Sequence, residues 1–309
     1  MSDFVLAIGA SLMDTKGVPH QGLEPSTSNP ALIRSTRGGT ARNVAENLGR
    51  LGVEVALISA VGEDTNGRYL LDITAEAGVD VSAVRQIPHG RTGQYMAVID
   101  QSGHLSVALD DTSVMTHLTP DYLRQQEHLF QAADMIMIDG GLTLEALLTA
   151  MEMGQAAGVP LCVDPSSTRL ASRLCPHLDK ISLIVPNERE AAAICNADYP
   201  TFDIDASLNM ARSIKSRGVD QIIITLSDFG LVYVTAEESG YLPAHYSDMV
   251  DSTGTGDAIA AAVILGRLNN LPSVECMRLG TAAAGLTLQT ADSVVRDLSL
   301  DMLYSHLTL

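Results

Sequence analysis

"DSTGTGDAIAAAVILG", Asp251–Gly266, changes character halfway along. Its first seven residues hold three hydroxyls, two glycines and two aspartates, and its remainder is small and apolar. Ala258, Ile259, Ala262, Val263 and Gly266 recur at helical spacing, so Thr255-Gly256-Asp257 falls at a helix N-terminus whose backbone N–H groups lack helical partners. Gly254 and Gly256 let an anion approach that main chain closely, which makes the segment a candidate anion hole. Asp257, in the first turn, is expected to be held ionised by the helix dipole. It can orient a substrate hydroxyl and accept its proton as phosphoryl transfer proceeds. On spacing alone a plain aspartate cap is the commoner reading.

A helix packed by such small residues needs a sheet to lie on, and the rest of the chain supplies one. "FVLAIGA", "VEVALISAVG", "MIMIDGG", "PLCVDP", "SLIVPN" and "QIIITL" read as short buried strands. Helical patterns separate them: Ala41, Val44, Ala45, Leu48 and Leu51 mark one face, and "LTLEALLTAMEMGQAAG" and "NEREAAAICNA" are similar. Strands alternating with helices imply an α/β class with right-handed crossovers and a mostly parallel sheet covered on both faces. Two stretches break the alternation. Residues 15–36 are rich in Pro, Gly, Ser and Asn, and residues 90–108 read as a hairpin turning around residues 100–103. They are either surface excursions or a small β-lid over a site. No linker, repeat or composition shift marks a boundary, so residues 1–309 are expected to form one domain.

The 37 Asp and Glu against 19 Lys and Arg give a formal net charge of −18. That charge repels phosphate backbones and anionic headgroups, which argues against nucleic acid and membrane partners. Four cysteines without a CxxC pair and eight histidines without HExxH spacing give neither a zinc site nor a disulfide framework. The N-terminus lacks a basic leader and no apolar run reaches the ~18 residues of a membrane span, so a soluble cytoplasmic protein is expected.

"GGTARNVAENLGRLG", residues 38–52, and "DSTGTGDAIAAAV" together resemble the two signatures of the PfkB, or ribokinase-like, family of carbohydrate and nucleoside kinases. "IGASLMD", "VGEDTNG", "VDP", "VPNEREA" and "ITLSDFG" follow the family's order, so the resemblance spans nearly the whole chain. It implies a three-layer α/β/α fold with a small β-lid, and an ATP-dependent phosphotransferase acting on an alcohol with Mg²⁺. By the same resemblance Asp257 is the catalytic base and the main chain of Gly254, Thr255 and Gly256 the anion hole. Asp14, Gly38, Gly39 and Asn43 match positions that grip substrate hydroxyls. Asn187 and Glu190 match an N-x-x-E motif that organises Mg²⁺ through waters, an exposed acidic helix turn being the plain reading of the same spacing. Thr225, Ser227 and Gly230, with Asn187 and the anion hole, match nucleotide contacts. Asp251 matches a position associated with a monovalent cation such as K⁺.

Thr40, Ala41 and Arg42 replace the residues that follow the paired glycines in ribokinases, which turns the expectation away from ribose. "SNPALIRSTRGGTARN" and "LTLQTADSVVRDLS" are similar to the family's pseudouridine-kinase branch. Ser28 and Asn29, with Gln94, Tyr95 and Met96 of the lid, are then the expected surface for a nucleoside base. The 5′-hydroxyl of pseudouridine is the expected acceptor, with a free sugar or another nucleoside as the in-family alternative. A catalytically silent nucleotide- or sugar-binding regulator is the alternative of another class. No GxxxxGK[ST] loop and no GxGxxG after the first strand occur, which excludes a Walker NTPase and a dinucleotide oxidoreductase. The lid's outer edge is the expected place for a second copy of the chain to dock.

Overall fold

The computed structural model describes residues 3–100, 105–199, 201–244 and 249–307. Its first strands are β1 (Phe4–Ile8), β2 (Leu12–Pro19), β3 (Ala31–Gly38), β4 (Glu54–Gly62), β5 (Val79–Asp80), β6 (Val84–Ile87), β7 (Gly93–Ile99) and β8 (Leu105–Asp111). The second half adds β9 (Met135–Asp139), β10 (Leu161–Asp164), β11 (Leu183–Ile184), β12 (Gln221–Thr225), β13 (Gly230–Val234) and β14 (Ser239–Pro243). The large sheet runs β14-β13-β12-β11-β10-β9-β1-β4-β5, with β6 also paired to β4. From β12 through β10, β9 and β1 to β4 every pairing is parallel.

Both faces of this sheet are covered, and β1 shows how the sequence arranges it. Successive side chains on a strand point to opposite faces. Val5 and Ala7 pack with Val44, Leu48, Ile259 and Val263 of the Thr40–Arg50 and Thr255–Leu268 helices. Leu6 and Ile8 pack on the other side with Leu147, Met151 and Ile194. A strand buried on both sides has no polar alternation, which is why these segments read as continuous apolar runs. The small residues of the C-terminal helix also have a cause. The Thr255–Leu268 and Ser273–Leu288 helices lie so close that a Cβ at Gly266 would stand 2.7 Å from the Cys276 sulfur.

A separate four-stranded sheet has the order β3-β2-β7-β8. β2–β3 and β7–β8 are antiparallel hairpins joined by a parallel β2–β7 pairing. The two stretches that broke the alternation therefore form one small sheet. Its strands begin at Leu12 and end at Asp111, wider than residues 15–36 and 90–108, because only residues 9–11 separate β1 from β2. Of residues 100–103, around which the second hairpin was expected to turn, 101–103 lie outside the described residues. Sequence reading missed β13 and β14, which add two antiparallel strands at the edge of the large sheet.

Candidate active site

The Thr255–Leu268 helix starts at the carboxyl ends of the parallel strands, and its N-terminus is built from backbone. Gly254 caps it at φ 83°, a left-handed conformation, where a side chain would collide with the Ser293 backbone. The amides of Gly254, Gly256 and Asp257 make no hydrogen bond to any described residue. The Thr255 amide instead leans toward the Ser252 carbonyl at 3.4 Å, and the Thr255 hydroxyl donates to the same oxygen at 2.7 Å. The expected trio of donors is corrected accordingly: Asp257 contributes an amide, and Thr255 is partly spent on closing the turn. Nothing lies within 4 Å of a would-be Cβ on Gly256, which leaves this main chain open to the cavity.

The Asp257 side chain does not cap its own helix. Its Oδ2 accepts a hydrogen bond from Asn43 Nδ2 at 2.6 Å. Burial pushes its pKa up to about 7; Asn43 and Arg42 pull the other way, and the Asp139 and Asp14 charges add to the rise. The expectation of an aspartate held ionised by the helix dipole is therefore corrected: enclosure by protein outweighs the dipole. Solvent still reaches part of the residue through the cleft, so about 7 is the ceiling of the effect.

Asp14 on β2 is 6% exposed and stands against Gly38, where any side chain would overlap its carboxylate. Gly39 caps the Thr40–Arg50 helix at φ 97°, with the Ala10 carbonyl filling the space of a Cβ. The paired glycines thus let Asp14 and Asn43 converge near Asp257. Burial raises the Asp14 pKa to about 6, moderated by Lys16 and Arg42. Lys16, two residues along β2, crosses from the small sheet to the loop before the anion hole. Its ammonium donates to Asp251 Oδ1 and Oδ2 at 2.8 and 2.6 Å and to the Thr253 hydroxyl. Against the effect of burial, Lys16 and the Thr253 amide hold Asp251 below the usual carboxylate range. The carboxylate expected to face a monovalent cation faces this ammonium.

Beside the anion hole opens a cavity of about 490 Å³, lined among others by Asp164, Asn187, Glu190, Thr225, Ser227 and Gly256. Asn187 and Glu190 form a reciprocal capping box: Asn187 Oδ1 accepts the Glu190 amide at 3.0 Å, and Glu190 Oε2 accepts the Asn187 amide at 2.9 Å. Asn187 is exposed but Glu188 and Glu190 are buried, so the acidic residues of this turn do not face solvent. Burial raises the Glu190 pKa, and burial with the Glu190 and Asp257 charges raises that of Asp164. Thr225 ends β12 with its amide on the Pro186 carbonyl, and Ser227 follows at φ 56°. Gly230 shapes the β12–β13 turn at φ 110° and does not line the cavity. Among the described residues no three His, Cys, Asp or Glu side chains converge on a metal position. Asp164 and Glu190, two oxygen donors that raise each other's proton affinity, suit a hard divalent cation whose other ligands are waters and phosphate oxygens.

The expected base-reading surface is only partly gathered. Asn29 spends its whole amide on its own loop: Oδ1 accepts the Glu24 amide, and Nδ2 donates to the Glu24 and Thr27 carbonyls. Ser28 is exposed, and neither residue lines the cavity. Tyr95 pairs in register with Asp14, and its pKa is raised by burial and then by the Asp14 charge, so it belongs to the face turned to the site. Gln94 and Met96 alternate to the opposite face. That outer face carries Ile33, Met96, Val107 and Leu109, each more than half exposed, in neighbouring register positions.

Two carboxylates that sequence reading left unassigned belong to the site. Asp139 and Asp164 are register partners at the ends of β9 and β10. Asp139 accepts the Ala10 amide at 2.9 Å and the Gly141 amide at 2.7 Å, fixing the ends of β1 and β9. The available signal was an Asp closing each of two apolar strands in a parallel sheet, where ligands bind outside the carboxyl ends.

The pfkB family of carbohydrate kinases matches residues 2–295. The chain is 30% identical over 299 residues to the pseudouridine kinase of Escherichia coli (strain K12), covering 96% of this chain and 94% of that protein. It is 26% identical to the guanosine-inosine kinase of Exiguobacterium acetylicum, covering 97% and 99%. A putative ribokinase II from E. coli, solved in complex with ATP and Mg²⁺, superposes with a TM-score of 0.84 at 18% identity, covering 100% of this chain and 99% of that one. Among the described residues no helix is long and apolar enough to cross a membrane.

Proposed function

This chain belongs to the pfkB family of carbohydrate kinases, phosphotransferases with an alcohol as acceptor, and we propose that its acceptor is the 5′-hydroxyl of pseudouridine and its donor ATP. The observation that carries the chemistry is the convergence of Asp257, Asn43 and open backbone amides at one end of a cavity large enough for a nucleotide. Asp257 takes the proton of the attacking hydroxyl, and Asp14 and Asn43 hold the ribose hydroxyls. The amides of Gly254, Gly256 and Asp257 stabilise charge on the transferring group. Asn187, Glu190 and Asp164 hold Mg²⁺ through its waters, and Mg²⁺ supplies charge neutralisation to the donor phosphates. The substrate assignment rests on the 30% identity to a pseudouridine kinase over nearly the full length of both chains.

ADP release with ATP and a panel of pseudouridine, uridine, guanosine, inosine and ribose tests it. Pseudouridine presents one more ring N–H than uridine. An acceptor left unpaired by uridine costs on the order of 1–3 kcal/mol, or ~10- to 100-fold in kcat/KM. Guanosine or inosine leading the panel would support the second nucleoside reading, which the guanosine-inosine kinase relative favours. Ribose leading it would remove the nucleoside assignment and leave the kinase standing.

A second copy of the chain is the proposed partner, docked on the outer face of the small sheet. Support comes from the uncovered apolar row Ile33, Met96, Val107 and Leu109. Light scattering on the protein and on Leu109→Asp tests this; a monomeric parent protein refutes it.

A further inference from the structure

Arg42 stands where the sequence departs from the ribokinase pattern, and its side chain is fully buried. It donates three hydrogen bonds within the Gly38–Glu46 segment. Its Nε donates to the Gly38 carbonyl at 2.8 Å, its Nη1 to Glu46, and its Nη2 to Asn43 Oδ1. Glu46, also fully buried, accepts Arg37 Nε at 2.9 Å and Arg50 Nη2 at 2.7 Å as well. Burial would raise the Glu46 pKa, but Arg42 and Arg37 outweigh it and hold the carboxyl at about 2, so Glu46 stays ionised and anchors Arg42.

A guanidinium has donors only. An Asn43 amide that meets one must turn its oxygen toward it, which leaves Nδ2 to face Asp257 at 2.6 Å. We propose that Arg42 is a positioning residue for the transfer reaction: it locks the Asn43 amide in the orientation that donates a hydrogen bond to Asp257. Without Arg42, the amide is free to flip and set its oxygen against the carboxylate, which would repel the ionised form. This inference rests on Asp257 being the proton acceptor. The groups facing Asp257 are Asn43 and Arg42 from their helix, Asp14 from β2, Asp139 from β9 and Asp164 from β10. Arg42 is the one cation in that set, so its loss weakens the ionised carboxylate twice, through the amide and through charge.

A double-mutant cycle on the full chain separates positioning from packing. Arg42→Met is expected to lower kcat by ~10- to 100-fold, to leave the KM for ATP within about twofold, and to move the acid limb of the kcat/KM profile to higher pH. Arg42→Lys keeps a donor but not the fork and should recover part of the loss. In an Asn43→Ala background Arg42→Met should cost several-fold less in kcat, since only the part that acts through charge remains. Arg37→Met, which disturbs the same Glu46 anchor without touching Asn43, should lower Tm and leave the pH profile in place. Equal losses from Arg42→Met in both backgrounds, or a lowered Tm with an unmoved profile, would overturn the proposal. Should Arg42→Met not fold, the Lys variant carries the same comparison. Normal turnover by Asp257→Asn would instead remove the base assignment on which the inference stands.

Discussion

Replacing Asp257 with Asn should abolish most turnover and at the same time stabilise the ligand-free protein above neutral pH. The side chain keeps its volume, and its remaining oxygen still accepts the Asn43 Nδ2 bond. What disappears is the cost of an ionised carboxylate that burial disfavours. The folded pKa is about 7 against an ordinary 3.8, so the folded form holds its proton where the unfolded chain has lost it. Wild-type stability from this group therefore falls as pH rises from about 4 to about 7 and is level beyond. At 1.36 kcal/mol per pH unit the full penalty is about 4 kcal/mol, a ceiling because solvent reaches the residue through the cleft. For a chain this long that corresponds to roughly 6 °C in Tm. Melting scans of both proteins between pH 4.5 and 9 should show the Tm difference growing toward neutrality and then levelling, while kcat of the variant falls by at least ~10³. A pH-independent Tm difference, or turnover within tenfold of wild type, would refute the reasoning.

Glu190→Gln keeps an oxygen for the capping box, so the helix start should survive, but it removes the charge offered to Mg²⁺. The Mg²⁺ concentration for half-maximal activity should rise at least severalfold, and an unchanged titration would return Glu190 to a purely structural cap. Lys16→Met cuts the ammonium link between the small sheet and Asp251. It should raise the acceptor KM by about tenfold and speed amide exchange in β2 and β3, since charge-assisted bonds contribute about 1.5–3 kcal/mol; equal exchange in both proteins would show the link to be dispensable.

The parallel core was legible because burial on both faces leaves nothing for a strand such as "MIMID" to be except apolar, and the helix faces between strands carry a 3.6-residue period. β13 and β14 escaped because "GLVYV" follows β12 after only four residues and reads as its continuation. Asp257 was legible because Gly254 and Gly256 precede it at a helix start, whereas Asn43 and Asp14 were reached only through the resemblance to the family's motifs. Asp139 and Asp164 were not, since a lone aspartate at a strand end looks like the start of a turn until register sets the two side by side. The misjudged state of Asp257 has the same origin. A helix dipole can be read from local sequence, whereas Asp14 and Asp139, which help raise the pKa, lie more than a hundred positions away in the chain. Asn29 shows the limit from the other side: sequence marks it as a polar residue in a substrate-side segment, whereas the structure has its amide accept one and donate two hydrogen bonds within its own loop.

On the proposed reading of Asp257 as the base, the crowding of carboxylates around the anion hole accounts for how a side chain that is ordinarily a feeble base can serve. An aspartate with a pKa near 4 would be ionised at neutral pH yet would attract the proton of an attacking alcohol only weakly. Near 7 it binds that proton about a thousandfold more tightly while remaining ionised in a large fraction of molecules. Desolvation and the Asp139 and Asp14 charges raise it, while Asn43 and Arg42 stop it from rising so far that it would stay protonated. The same crowding governs the donor. Asp164, Glu188, Arg189 and Glu190 all line the cavity, and Arg189 is the one cationic side chain among the described lining residues. A bare nucleotide triphosphate entering there meets net negative charge, so on the proposed reading it binds as its metal complex. The positive charge that neutralises the phosphates then also relieves the repulsion between Asp164 and Glu190, so that both can be ionised together.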